Sequence, residues 1–106
     1  MKKYCLEDFT RGWIIGDFEP SIFRTKDFEC MVRYYKAGDV EQKHVHKIAD
    51  EVTIIISGKF KMNEEILGAG DIVHLAPNDP VDFACLEDGA NAVIKRPSVM
   101  GDKYPL

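Results

Sequence analysis

The stretch GDVEQKHVHKIADEVTIIISG, residues 38–58, joins a paired-histidine unit, a carboxylate five residues further on and a glycine at each end. Its second half contains Val52, Thr53, Ile54, Ile55 and Ile56, nearly all β-branched, and such side chains favour extended backbone. His44 and His46 lie in the first half, within a strand expected from Val40 to Lys47. Alternate side chains of a strand leave one face, so the two imidazoles emerge together, about 6.6 Å apart along the strand. Lys47-Ile48-Ala49-Asp50 then turns the chain, and Glu51 opens a neighbouring strand facing the same interior. Two imidazoles and a carboxylate make a set that leaves coordination positions open, which suits non-heme Fe(II) and tolerates Mn, Zn, Co or Ni. A divalent ion held this way keeps a net charge of about +1 and would accept an anionic, oxygen-bearing ligand.

Outward from this stretch, short apolar runs punctuated by Gly, Pro, Asn and Asp recur from Trp13 to Arg96. Phe28, Cys30, Val32 and Tyr34 alternate with Glu29, Met31, Arg33 and Tyr35, a period of two, and the more apolar set is expected to face inward. Ser57-Gly58-Lys59 reads as a turn, with Lys59 to Met62 returning antiparallel. Asn63-Glu64-Glu65 turns the chain into Ile66-Leu67, and Gly68-Ala69-Gly70-Asp71 breaks it again. Further strands are expected at Ile72 to Leu75, Val81 to Leu86 and Ala92 to Lys95, the last two separated by Glu87-Asp88-Gly89-Ala90. About eight short strands at this spacing predict an all-β jelly-roll β-barrel. Helix signals are confined to the first dozen residues.

The chain has 106 residues, which allows one domain with one core: a motif-bearing part over about 28–96 and an N-terminal strand or arm over about 1–27. Fourteen basic and eighteen acidic residues give a net charge of −4, with the lysines scattered, so a nucleic-acid partner is not expected. No apolar run approaches the ~18 residues of a membrane span, and no apolar signal core follows Met1-Lys2-Lys3. Cys5, Cys30 and Cys85 are odd in number, far apart and without a CxxC pair. These features together predict a cytoplasmic chain with reduced thiols.

Gly38, His44, His46, Glu51 and Gly58 stand at the spacing of the first signature of the cupin superfamily, every fixed position filled. Gly70-Asp71 and Pro77 resemble the second signature, in which Asn78 replaces a glycine and Val81 stands where the family places its last metal-binding histidine. The resemblance covers somewhat under half of the chain. It implies a cupin-like barrel with a divalent transition metal (Fe, Mn, Zn or Ni) on His44, His46 and Glu51. With Val81 in place of a ligand, either Asp82 turns inward through a bulge or water completes the shell. The implied activity is that of a metal-dependent enzyme acting on a small oxygenated metabolite, dioxygenase- or isomerase-like. The alternative is a non-catalytic barrel that binds a sugar or small acid.

The remaining titratable groups read as structural. His74 is a packed or hydrogen-bonded histidine, Cys85 a core thiol, and Tyr34 a wall residue of the cavity. Phe83, Ile55, Val32 and Val81 are expected to line a small dry pocket. Ile54 and Ile56 point away from Glu51, Thr53 and Ile55, so the outer face of their strand is apolar too. A second copy of the chain is the expected cover, giving a homodimer, with Trp13-Ile14-Ile15 of the same chain as the alternative. That segment should only pack, as an edge strand or across the dimer, and residues 97–106 should run over the surface as an irregular tail.

Overall fold

β-branched and aromatic runs become eight strands, preceded by two short 3-10 turns at Leu6–Asp8 and Thr10–Gly12, in the computed structural model, which describes residues 1–106. The strands are β1 (Trp13–Ile15), β2 (Glu29–Tyr35), β3 (Val40–Val45), β4 (Asp50–Met62), β5 (Glu65–Gly68), β6 (Ile72–Leu75), β7 (Val81–Arg96) and β8 (Tyr104–Pro105). Their pairings are antiparallel and run in the order β1-β2-β7-β3-β8. β4 pairs along β7 and carries β5 and β6 on its other edge. The all-β barrel expected from the sequence is therefore present. No helix is long and apolar enough to cross a membrane.

Two expected interruptions are bends inside continuous strands. Gly58 takes φ +82°, and the register between β4 and β7 shifts from Ile55 to Phe60, so β4 bulges and bends where a reversal was expected. The break expected at Glu87–Ala90 is likewise part of β7. A Cβ on Gly58 would stand 2.5 Å from the Asp88 carbonyl oxygen, and one on Gly89 2.1 Å from that of Ser57, so glycine at both positions lets the strands touch at the bend.

Inside the barrel, Phe60, Phe83 and Tyr35 pack with ring centroids 5.0–5.7 Å apart, and Ile55, Leu67, Leu75, Val81 and Cys85 join them in one core. Against this core, and walled in part by its Tyr35, Phe83 and Val81, the barrel holds a cavity of about 460 Å³. β2 presents Glu29, Met31, Arg33 and Tyr35 to that cavity, the reverse of the expected parity: Tyr35 is 9% exposed and Tyr34 76%. Val32 also faces outward, beside Leu6, Phe9 and Gly12 of the N-terminal arm. The cavity thus takes the face that carries Glu29 and Arg33, against the hydrophobic-inward rule.

The C-terminal tail is not a loose surface segment. Tyr104–Pro105 forms β8 against β3, with His44 opposite Pro105 and Val45 opposite Tyr104, and Asp102 is buried beneath it. The outer face of β6-β4-β7 carries an uncovered apolar patch, in which Ile72 opposes Ile54, Ile54 opposes Ala92 and Val52 opposes Ile94, bordered by the charged cluster of His74, Asp50 and Arg96. β1 pairs with the edge of β2 and does not reach this face.

Candidate metal centre

His44 is the penultimate residue of β3, opposite Val81, and His46 lies in the bend that follows; both are buried and both line the cavity. Their rings stand 5.3 Å apart at 79°. His44 Nδ1 donates to the Gln42 carbonyl at 2.8 Å, and His46 Nδ1 donates to the Asp102 carbonyl. A carbonyl oxygen can only accept, so each Nδ1 carries a hydrogen, which leaves Nε2 as the nitrogen free to bind a metal. Metal-binding histidines are oriented by this kind of outer hydrogen bond.

Two loops hold the His46 bend. The Asn78 N–H donates to the His46 carbonyl at 2.7 Å, from a turn in which Asn78 takes φ +73°. Asparagine tolerates that left-handed conformation, which explains how it stands in for the glycine of the second signature. From the other side, the Asp102 carboxylate accepts the N–H groups of Lys47, Ile48 and Ala49 at 2.9–3.2 Å.

Glu51, at the start of β4, is buried and faces the same cavity. Its Oε1 lies 3.5 Å from His46 Nε2 and 3.8 Å from Lys95 Nζ, and its Oε2 accepts from Thr53 Oγ1 at 3.2 Å. Burial pushes the Glu51 carboxyl up, but His46, Lys95 and Thr53 together hold it below its ordinary value. The same carboxylate raises His46 above the usual histidine value, against burial and the Lys95 charge. Lys95 itself lies over the Trp13 ring, 5.2 Å from its centroid.

The sequence-predicted trio thus meets at one cavity, without closing into a tight coordination cluster. The donor chemistry fits a divalent ion: His46 Nε2 is buried, has no hydrogen-bond partner and lies 3.5 Å from Glu51 Oε1, a pair that is satisfied either by a proton on Nε2 or by a metal ion held by both. Val81 is 2% exposed, lines the cavity opposite His44, and adds no donor. Asp82 does not replace it. Its carboxylate accepts the Asn63 N–H at 3.0 Å and its own N–H donates to Asn63 Oδ1, so it braces the β4–β5 turn.

His74 is on the outer side, exposed and paired with Asp50 at 2.9 Å. Cys85 is in the core as expected, its thiol donating to the Glu87 carbonyl. Of the expected pocket walls, Phe83 and Val81 line the cavity, whereas Ile55 is buried in the core and Val32 points outward. Sequence reasoning missed Asp102, Lys95, Asn91 and Arg33, and it assigned Trp13 to packing alone. A lysine directly after the apolar run Ala92 to Ile94, and an arginine inside β2, were the available signals.

No family model and no curated protein matches the sequence. Solved structures do. An RmlC-like cupin from Shewanella frigidimarina superposes with a TM-score of 0.66 at 20% identity, over 73% of this chain and 71% of that one. The chain has the cupin fold. A DMSP lyase from Ruegeria pomeroyi matches with a TM-score of 0.70 at 21% identity over 97% of this chain, which spans 59% of the lyase. The oxalate decarboxylase of Bacillus subtilis, a protein with Mn(II) centres, matches with a TM-score of 0.67 at 17% identity over 77% of this chain and 25% of the decarboxylase. The cupin fold thus includes enzymes, and in this chain it brings the histidine pair and Glu51 to one cavity.

Proposed function

We propose that this cupin-fold chain binds one divalent transition metal through His44, His46 and Glu51 and acts as a metal-dependent enzyme on a small oxygenated metabolite. The observation that carries the reading is His46: its Nδ1 is engaged by a backbone carbonyl, and its buried Nε2 faces Glu51 with no hydrogen-bond partner. A bound ion there would supply Lewis-acid polarisation of a substrate oxygen, or, as Fe(II), access to dioxygen chemistry. The Mn(II) centres of the oxalate decarboxylase and the activity of the DMSP lyase support this class of reading. The chain's own contribution is a cavity of about 460 Å³, within the ordinary range for small-ligand sites, with Lys95 beside the ligand set.

Titration of untagged protein with Mn(II), read by the loss of the free-ion signal in electron paramagnetic resonance, is expected to show one site, absent in His46→Ala. Mn(II) at 100 times its dissociation constant should stabilise the fold by about 2.7 kcal/mol. A chain that takes up no Mn(II), Fe(II), Zn(II) or Ni(II) and gains no stability from any of them refutes the reading. In that event the second reading applies, a non-catalytic barrel for a small acid. Lys95 favours it, because its ammonium already lies 3.8 Å from Glu51 and Val81 supplies no fourth ligand.

We also propose that the apolar outer face of β6-β4-β7 is the interface of a homodimer. Ile72 is 66% exposed there and continues a row through Ile54 to Ala92, a patch that one two-fold axis can bury against itself. Light scattering is expected to give twice the chain mass, and Ile54→Glu to give the monomer with the fold intact by circular dichroism. A wild-type monomer at micromolar concentration disproves the interface.

A further inference from the structure

Two buried side-chain atoms of the chain lack a hydrogen-bond partner, His46 Nε2 and Asn91 Oδ1, and both residues line the same cavity. A bound cation accounts for the first. Asn91 is 2% exposed and on the inward face of β7, and a buried acceptor of this kind is normally satisfied by a ligand or by water. The strand register places it at the far end from the metal trio. Along β7, Lys95 opposes Glu29 and Glu51, Val93 opposes Met31 and Thr53, and Asn91 opposes Arg33 and Ile55. Asn91 is four residues from Lys95, or roughly 13 Å along the strand.

Arg33 shares the row with Asn91 and also lines the cavity. Its Nε and Nη2 donate to the Arg11 carbonyl, which fixes the guanidinium while leaving its charge without a carboxylate partner. Tyr35 packs its ring beside that guanidinium, 5.7 Å from Cζ. A cation held in place by a neutral acceptor, next to a buried acceptor with no donor, is complementary to a carboxylate next to a hydroxyl.

We propose that the Arg33–Asn91 end of the cavity binds the far end of the substrate, its carboxylate on Arg33 and an adjacent hydroxyl donating to Asn91 Oδ1. The substrate class is then a small hydroxylated carboxylic acid, whose opposite oxygens reach His44, His46 and Glu51. Only this last part rests on the metal reading.

Glucarate, adipate and sorbitol test it, since they present a six-carbon chain with acids and hydroxyls, acids alone, and hydroxyls alone. Calorimetric titration of the Mn(II)-treated protein is expected to show glucarate binding at least about tenfold more tightly than either of the others. Asn91→Leu should weaken glucarate about tenfold and leave adipate unchanged. Its melting temperature should not fall, because leucine replaces an amide with an unsatisfied oxygen, whereas a merely structural asparagine would lose stability. Arg33→Met should weaken both acids about tenfold and leave sorbitol unchanged. Glucarate that does not bind, or that binds Asn91→Leu as well as wild type, overturns the proposal. If Mn(II) fails to bind while glucarate affinity still depends on Asn91 and Arg33, the metal reading falls and this one stands.

Discussion

Replacing Asp102 with alanine is expected to destabilise the chain by about 3–5 kcal/mol, read as a fall in the urea midpoint without a change in slope. The side chain is buried and accepts three consecutive N–H groups, from Lys47, Ile48 and Ala49, in a bend that has no ladder of its own to satisfy them. Charge-assisted bonds of this kind contribute about 1.5–3 kcal/mol each, and removing their shared acceptor leaves buried donors with no partner. Asp102→Asn retains one acceptor oxygen and should cost less than half as much. Burial pushes the Asp102 carboxyl up, but the N–H donors of Ala49, Lys47 and Ile48 outweigh it and hold the group below the ordinary carboxylate value. A folded value below the unfolded one means the contribution is fully present above the unfolded value near ~3.9 and is lost as pH falls through the folded one. The wild type and Asp102→Ala should therefore converge in stability on acidification. Because the Asp102 carbonyl also accepts from His46 Nδ1, the alanine variant should lose metal affinity, about 10- to 100-fold. An unchanged midpoint would show that the tail does not hold the bend.

The meeting of His44, His46 and Glu51 at one cavity was legible because short-range geometry decides it. The HxH spacing puts both imidazoles on one side of the extended chain although β3 ends at Val45 and His46 already lies in the bend, and the turn before Glu51 needs only the few residues that the sequence supplies. Asp102 was illegible for the opposite reason: its partners are more than fifty residues away, and nothing in Met100-Gly101-Asp102-Lys103 marks a buried carboxylate. The parity of β2 failed on physics rather than on distance. Burial of apolar area favours Phe28, Cys30, Val32 and Tyr34 inside, and a plain core would take them. The barrel instead turns Glu29, Arg33 and Tyr35 inward, where they line a cavity, and the N-terminal arm lies against Val32 outside. The long strands β4 and β7 were each read as two because a glycine usually ends a strand; here Gly58 and Gly89 face each other and allow both to bend without breaking.

Val81→His is expected to tighten Mn(II) or Ni(II) binding about 100-fold over wild type, measured by direct titration. Val81 is directly opposite His44 across the β3–β7 pair, on the inward face, and paired residues of neighbouring strands have Cβ atoms about 4.5–5.5 Å apart. An imidazole at this position therefore enters the cavity beside the existing ligand set. It adds a fourth protein ligand in place of solvent, and each tenfold gain in affinity corresponds to about 1.4 kcal/mol, well within what one metal–imidazole bond contributes. Val81 also belongs to the packed core, so the variant should lose some stability, while the ring's outer atoms project toward the cavity. Val81→Leu serves as the control: it adds volume without a donor and should leave metal affinity within about threefold of wild type. A folded Val81→His chain that binds no more tightly than wild type would mean that the ion, if bound, lies away from the point where His44, His46 and position 81 converge. That result would leave the fold untouched and remove the coordination geometry on which the enzymatic reading depends.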